Sequence, residues 1–85
     1  MNTELNFTDV KDIVIDCLLK VGIIVDSSAE DTNILDYGID SISYVTFIIE
    51  LEDSLGIDLP ESVFNYEVLR SLNGFSNMLV DIIND

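Results

Sequence analysis

Apolar residues recur at helical spacing in three segments of the chain, and this pattern predicts most of its secondary structure. The predicted helices run over about residues 8–20, 41–55 and 71–83. A shorter helix is expected over about 60–67, because Asp58 can cap it and Pro60 suits its first turn. No strand pair or β-hairpin turn competes with these helices. The chain is therefore predicted to be all-α: one domain, residues 1–85, folded as a four-helix bundle with a long loop before the second helix and a short third helix.

The first and last helices are each predicted to bury one apolar face. Thr8 is the expected cap of the first helix, and Gly22 follows its end. Its predicted core residues are Val10, Ile13, Val14, Cys17, Leu18 and Val21. Ser71 is the expected cap of the last helix, whose predicted core residues are Leu72, Phe75, Leu79, Ile82 and Ile83.

The second helix has apolar residues on two sides. Its predicted core face consists of Tyr44, Phe47, Ile48, Leu51 and Leu55, with Val45 at the margin. Ile42 and Ile49 lie opposite that face and about 20° from each other at ~100° per residue. Their stripe also contains Thr46 and Asp53, flanked at a distance by Glu50 and Glu52. We interpret it as a partner-docking surface because helices that dock in grooves use such i, i+7 anchors, although isolated exposed apolar residues are also common.

A long polar connection, about residues 23–40, leads to this helix. Ser27 with Glu30, and Ser28 with Asp31, are possible capping-box pairs for a short helical turn. Ile34 and Leu35 are expected to anchor the connection to the core. Loops of this length in small domains are more often functional than idle.

The connection ends at a candidate modification site. Gly38 permits a backbone turn, Asp40 is a suitable N-cap, and Ser41 then occupies the first helical position. A hydroxyl there lies at the positive end of the helix dipole, which favours an attached anion such as a phosphate. Ser41 is therefore either an ordinary first-turn serine or the attachment point of a phosphate-linked group.

Composition is consistent with a small soluble domain. Apolar residues make up 48% of the chain, which is enough for a packed core, and the single cysteine excludes an intramolecular disulfide. Cys17 lies in the apolar stripe of the first helix and is predicted to be a buried, unreactive thiol. The N-terminus lacks the basic lead of a signal peptide, and Asp16 and Lys20 interrupt the longest apolar run. These features predict a cytoplasmic protein without a membrane span.

The net charge of −14 is extreme for a chain of this length. Such a surface repels nucleic acid and anionic membranes and attracts basic partners. The alternative is that the acids serve only solubility.

The residues needed for most catalytic or metal sites are missing. The chain contains no histidine and no thiol–base pair, so acid–base and nucleophilic catalysis lack their usual groups. The acid spacing of an EF-hand, a glycine-rich phosphate loop and a Cys/His metal cluster are also absent from the sequence. We therefore predict no enzymatic activity and no metal site.

The segment Gly38-Ile39-Asp40-Ser41-Ile42 resembles the Gly-x-Asp-Ser-Leu signature of acyl carrier proteins and related phosphopantetheine-binding carrier domains. The resemblance extends over about residues 8–83 and includes the order of helices, the acidic Glu50-Leu51-Glu52-Asp53 segment and the Gly56-Ile57-Asp58-Leu59-Pro60 turn. It implies that a phosphopantetheinyl transferase attaches 4'-phosphopantetheine to Ser41, and that Asp40 helps to position the serine and the metal of that enzyme. The arm would then carry acyl or aminoacyl groups as thioesters.

The resemblance also implies docking of loading enzymes and of downstream synthases or transferases. The residues that would contact basic and apolar patches on these enzymes are Ile42, Thr46, Ile49, Glu52 and Asp53. The sequence carries no signal of oligomeric state, and a monomer is the default expectation. Fatty-acid carriers usually have acids two and five residues after the serine, where this chain has Ser43 and Thr46. This difference favours a discrete carrier of polyketide or nonribosomal-peptide type. The alternatives are a fatty-acid carrier and, in another class, an acidic interaction module without a prosthetic group.

Overall fold

The three segments with strong helical spacing all fold as α-helices. The computed structural model describes residues 6–26, 30–60 and 65–84, except the side chain of Tyr66. Within these ranges, α1 spans Phe7–Lys20, α2 spans Ser41–Leu55 and α3 spans Leu72–Asn84. Two short 3-10 helices, Ile34–Tyr37 and Tyr66–Arg70, precede α2 and α3, and these ranges contain no strand. The all-α prediction is confirmed.

The start of α1 differs from the prediction. Asn6, not Thr8, is the N-cap, because the Asn6 side chain accepts a hydrogen bond of 2.9 Å from the backbone N–H of Asp9. The expected Thr8 cap is therefore wrong, and Thr8 lies inside the first turn. Asparagine is at least as good an N-cap as threonine, so capping preference is compatible with the observed start.

One apolar core joins the three helices. α1 contacts both α2 and α3, and the rings of Phe47 on α2 and Phe75 on α3 lie 5.8 Å apart between centroids. The apolar residues with no more than 1% of their surface exposed are Val10, Val14, Cys17, Leu18, Ile34, Phe47, Ile48, Leu51, Leu69, Leu72, Phe75 and Leu79. The predicted core faces of α1, α2 and α3 all contribute to this core.

α2 has the predicted bounds. The Asp40 side chain caps its start, and the N–H of Gly56 closes its end by donating to the carbonyl of Glu52 at 2.8 Å. Val45, predicted at the margin of the core face, is 46% exposed and so lies nearer the outer face. This side of α2, which also carries the exposed Ile42 and Ile49, is therefore more apolar than the sequence pattern indicated.

Residues 61–64 of the predicted third helix lie outside the described residues, and only its two ends are described. Asn65 has an extended backbone, with φ −108° and ψ 124°, and its side chain caps the 3-10 helix that follows. A continuous helix to Glu67 is therefore wrong at its C-terminal end. The 3-10 helix reaches Arg70, directly before the Ser71 cap of α3.

Candidate functional site

The loop before α2 is built from short, individually capped turns. The Asn33 side chain accepts a hydrogen bond of 3.0 Å from the N–H of Leu35 and caps the first 3-10 helix. Ile34 in that helix is completely buried, and Leu35 packs partly buried against the core. Both residues therefore anchor the loop as predicted.

Gly38 makes the turn that follows. Its φ of +71° is a left-handed conformation, and its N–H donates to the carbonyl of Leu35 at 3.1 Å. A Cβ at this position would have no atom within 4 Å. Backbone conformation, rather than lack of space, therefore favours glycine here.

Asp40 and Ser41 form the start of α2. One carboxylate oxygen of Asp40 accepts a hydrogen bond of 2.7 Å from the N–H of Ser43. This bond, together with the Ser43 hydroxyl, lowers the pKa of Asp40 below its ordinary value. Ser41 is the first residue of the helix, and it is exposed together with Asp40 and Ile42. The predicted cap and the predicted serine position are both observed.

These features fit a phosphodiester-linked arm on Ser41. The serine lies at the surface beside two exposed neighbours, so an attached group needs no space inside the fold. The phosphodiester would be located at a helix N-terminus, where the dipole favours negative charge. The chain can therefore accept the group that the sequence motif implies.

A set of hydrogen bonds that the sequence did not reveal joins the same loop to α3. Asp31 accepts from the Ser71 hydroxyl at 2.6 Å and from the Asn73 N–H at 2.9 Å. The Asn73 side-chain amide donates to the carbonyl of Glu30 at 2.6 Å, and the Leu72 N–H donates to the carbonyl of Thr32 at 2.8 Å. The predicted capping partner of Asp31, Ser28, lies outside the described residues. The observed partners of Asp31 lie about forty residues later in the chain.

The outer face of α2 is mainly apolar. Ile42 is 79% exposed and Ile49 58% exposed, and Val45 lies on the same side. The hydroxyl of Thr46 donates to the carbonyl of Ile42 at 2.9 Å, so it is already engaged within the helix. Asp53 is the exposed acid of this stripe.

Two of the acids near this face are bonded within the fold. Glu50 forms an ion pair of 3.4 Å with Lys20 at the end of α1. One carboxylate oxygen of Glu52 accepts from the N–H of Leu59 at 2.8 Å. Asp53 is therefore the acid of the Glu50–Asp53 segment that is most available to a partner.

Cys17 is completely buried, as predicted, with its sulfur 3.7 Å from the Ser54 hydroxyl. Burial raises the pKa of its thiol, which lowers the reactive thiolate fraction. Among the described residues, no group of Asp, Glu and Cys side chains is arranged to hold a metal ion. In the same part of the chain, no helix is long and apolar enough to cross a bilayer.

Comparison with known families identifies the class. The model of the phosphopantetheine attachment site family matches residues 12–79, which is well over half of the chain and includes the Ser41 turn. The protein is thus a carrier-type domain, and the chain belongs to the phosphopantetheine attachment site family. No solved structure was found to match it.

Family membership fixes the general function. Members carry 4'-phosphopantetheine covalently on a serine and are carriers rather than catalysts. They interact with a phosphopantetheinyl transferase and with enzymes that handle acyl groups. The all-helical fold is compatible with this family.

Proposed function

We propose that Ser41 is the serine that bears the 4'-phosphopantetheine arm, and that the protein carries thioester-bound intermediates between biosynthetic enzymes. The observation that carries this proposal is the exposed position of Ser41 at the first residue of α2, directly after the capping Asp40. When bound, the arm supplies a terminal thiol that holds an acyl or aminoacyl group as a thioester.

The residues around Ser41 have separate roles in this proposal. Ser41 supplies the hydroxyl oxygen, which loses its proton and bonds to the phosphorus on the pantetheine side of coenzyme A, while the pyrophosphate bond breaks and adenosine 3',5'-bisphosphate leaves. Asp40 fixes the first turn of α2 through the Ser43 N–H, and Gly38 provides the turn that brings the loop to it. The N-terminus of α2 stabilises the negative charge of the phosphodiester.

The proposed docking surface consists of Ile42, Thr46, Ile49, Glu52 and Asp53. The high exposure of Ile42 and Ile49 supports apolar contact with client enzymes. Asp53 supports contact with a basic group at the rim, where charge mainly speeds association and its effect fades with salt. Glu52 already accepts the Leu59 N–H through one carboxylate oxygen, so part of its hydrogen-bonding capacity is used within the fold.

We assign the carrier to a secondary-metabolite pathway of polyketide or nonribosomal-peptide type. Ser43 and Thr46 support this assignment, because fatty-acid carriers usually have acids at the corresponding positions. The alternative is a fatty-acid carrier. We further propose that residues 1–85 form a single domain and that the protein is monomeric and cytoplasmic.

The test is the intact mass after incubation with coenzyme A, magnesium and a broad-specificity phosphopantetheinyl transferase. The wild-type chain should gain the mass of one phosphopantetheinyl group, and Ser41→Ala should gain none. Ser43→Ala is the matched control, since it removes a neighbouring hydroxyl and should still be modified. A folded wild-type chain that gains no mass with several transferases would favour the acidic interaction module without a prosthetic group.

A further inference from the structure

The N-terminus of α3 is capped from two parts of the chain. Ser71 accepts the Gly74 N–H at 2.9 Å in the ordinary way of an N-cap. The preceding two N–H groups are bound by the loop before α2: Asn73 donates to the Asp31 carboxylate and Leu72 to the Thr32 carbonyl. The first turn of α3 is therefore completed by residues about forty positions earlier.

Asp31 is the central residue of this joint. Its two carboxylate oxygens accept from the Ser71 hydroxyl, the Asn73 N–H and the Thr32 N–H, at 2.6, 2.9 and 2.8 Å. Hydrogen bonds to an ionised acceptor are roughly twice as strong as those between neutral groups. We call the bonded segments 30–32 and 71–73 the loop–α3 joint.

The joint is continuous with the turns that lead to Ser41. Asn33 follows it directly and caps the first 3-10 helix, and the buried Ile34 fixes that helix to the core. This 3-10 helix contacts the second one, Tyr66–Arg70, which ends where Ser71 begins. The loop thus lies along the segment before α3 from the joint to the first 3-10 helix.

We propose that Asp31 is a positioning residue for Ser41: through the loop–α3 joint it holds the start of α2 in the place in which a phosphopantetheinyl transferase binds it. This inference rests on the proposed function, in which Ser41 carries the arm. Without the joint, the loop has more conformations and the binding-competent one is less populated, so apparent affinity falls in proportion. The chemistry at the Ser41 hydroxyl is unchanged once the enzyme has bound.

The kinetic test compares Asp31→Ala with Asp12→Ala, which removes the same charge from an exposed position on α1. Modification by transferase and coenzyme A is followed well below the melting temperature of either variant. Asp31→Ala should raise the KM for the carrier about three- to tenfold, the range expected from losing the net contribution of one typical hydrogen bond at an exposed site. Its kcat and its final mass gain should match the wild type, and Asp12→Ala should change neither constant.

Two further variants separate positioning from general stability. Asp31→Asn keeps the shape and one carbonyl oxygen, so its KM should lie between those of the wild type and Asp31→Ala. The double variant Asp31→Ala with Ser71→Ala should raise the KM by less than the product of the two single-variant effects, because the two side chains share the Ser71–Asp31 hydrogen bond. A lowered melting temperature with KM unchanged in Asp31→Ala would overturn the proposal and leave Asp31 as a cap of α3 only.

A second readout needs no transferase. In Asp31→Ala, amide hydrogen exchange should be faster than in the wild type at Ser43 and Tyr44, whose N–H groups bond to Asp40. The amide of Val14 in α1 should exchange as slowly as in the wild type. Unchanged exchange at the start of α2 would contradict positioning by Asp31. If the wild type gains no phosphopantetheinyl mass, the proposed function fails, whereas the exchange result still decides whether Asp31 orders the start of α2.

Discussion

Leu51 and Ile49 lie two residues apart on opposite sides of α2: Leu51 is completely buried, whereas Ile49 is 58% exposed. Leu51→Ala should lower the free energy of unfolding by about 2–5 kcal/mol, because it removes buried methyl groups and leaves a cavity. Ile49→Ala should change it little. Urea denaturation of both variants measures the difference, and a large loss at Ile49 would mean that the two faces of α2 are assigned wrongly.

The same pair of faces yields a binding prediction. Ile42→Ala and Ile49→Ala should weaken binding of the holo carrier to a client enzyme with little change in stability, because both side chains are exposed. Asp53→Asn should mainly slow association, and this effect should shrink as salt is added. Surface plasmon resonance at two salt concentrations separates the two contributions. Undiminished binding by the double isoleucine variant would exclude this face as the docking surface.

Asp31 and Asp40 should make stability depend on acid pH. Hydrogen bonds from the Asn73 and Ser43 N–H groups, respectively, lower their pKa values in the folded protein. The unfolded chain, with ordinary aspartate pKa values of about 3.9, therefore binds more protons in that region. Their contribution to the free energy of unfolding is present above this pH and lost as the pH falls through the folded pKa values.

The measurement is the difference in free energy of unfolding between wild type and Asp31→Asn or Asp40→Asn, from pH 7 to pH 2.5. The wild type should be more stable than each variant at pH 7, and this difference in free energy of unfolding should disappear below about pH 4, near the ordinary aspartate pKa. Protonation of the other acids relieves charge repulsion in the wild type and in each variant alike, so this effect cancels in the difference between their free energies of unfolding. Asp53→Asn, at an exposed position of the same helix, is the control. An advantage constant with pH would show that neither carboxylate stabilises the fold through its charge.

Local patterns predicted the part of the fold that carries Ser41. α2 has a strong apolar period, an aspartate directly before it and a glycine directly after it, and its observed bounds agree with all three signals. The cap of α1 was available to the same reasoning, since Asn6 precedes Asp9 by three residues. The prediction named only Thr8, which is also an adequate cap by residue type.

Long-range contacts were not predictable from those patterns. Asp31 has a serine three residues before it, which indicates a local capping pair, whereas its observed partners are Ser71 and Asn73. Only the packing of α3 against α1 and of the two 3-10 helices against each other brings these residues together. The exposure of Val45 also depends on where the neighbouring helices lie, because its position on the helical wheel is intermediate.

Charge repulsion should limit the stability of the protein at low salt. The net charge is −14, and the chain has only three basic residues, of which Lys20 pairs with Glu50 and Arg70 with Glu67. Added sodium chloride or magnesium should therefore raise the melting temperature, because salt screens the remaining acids. Differential scanning calorimetry from low to high ionic strength measures this. A melting temperature that does not change with salt would show that the acids are individually compensated.

The difference between Cys17 and the thiol of the arm should allow selective labelling. Cys17 is completely buried and burial raises the pKa of its thiol, so the native apo protein should react very slowly with a maleimide. After attachment of the arm, the native holo protein should gain one label at a rate typical of an exposed thiol. The apo protein should react at Cys17 only in denaturant, and holo Cys17→Ala should label like the holo wild type. Rapid labelling of the native apo protein would show that α1 opens readily around Cys17, because a thiol that remains in the core cannot reach the reagent.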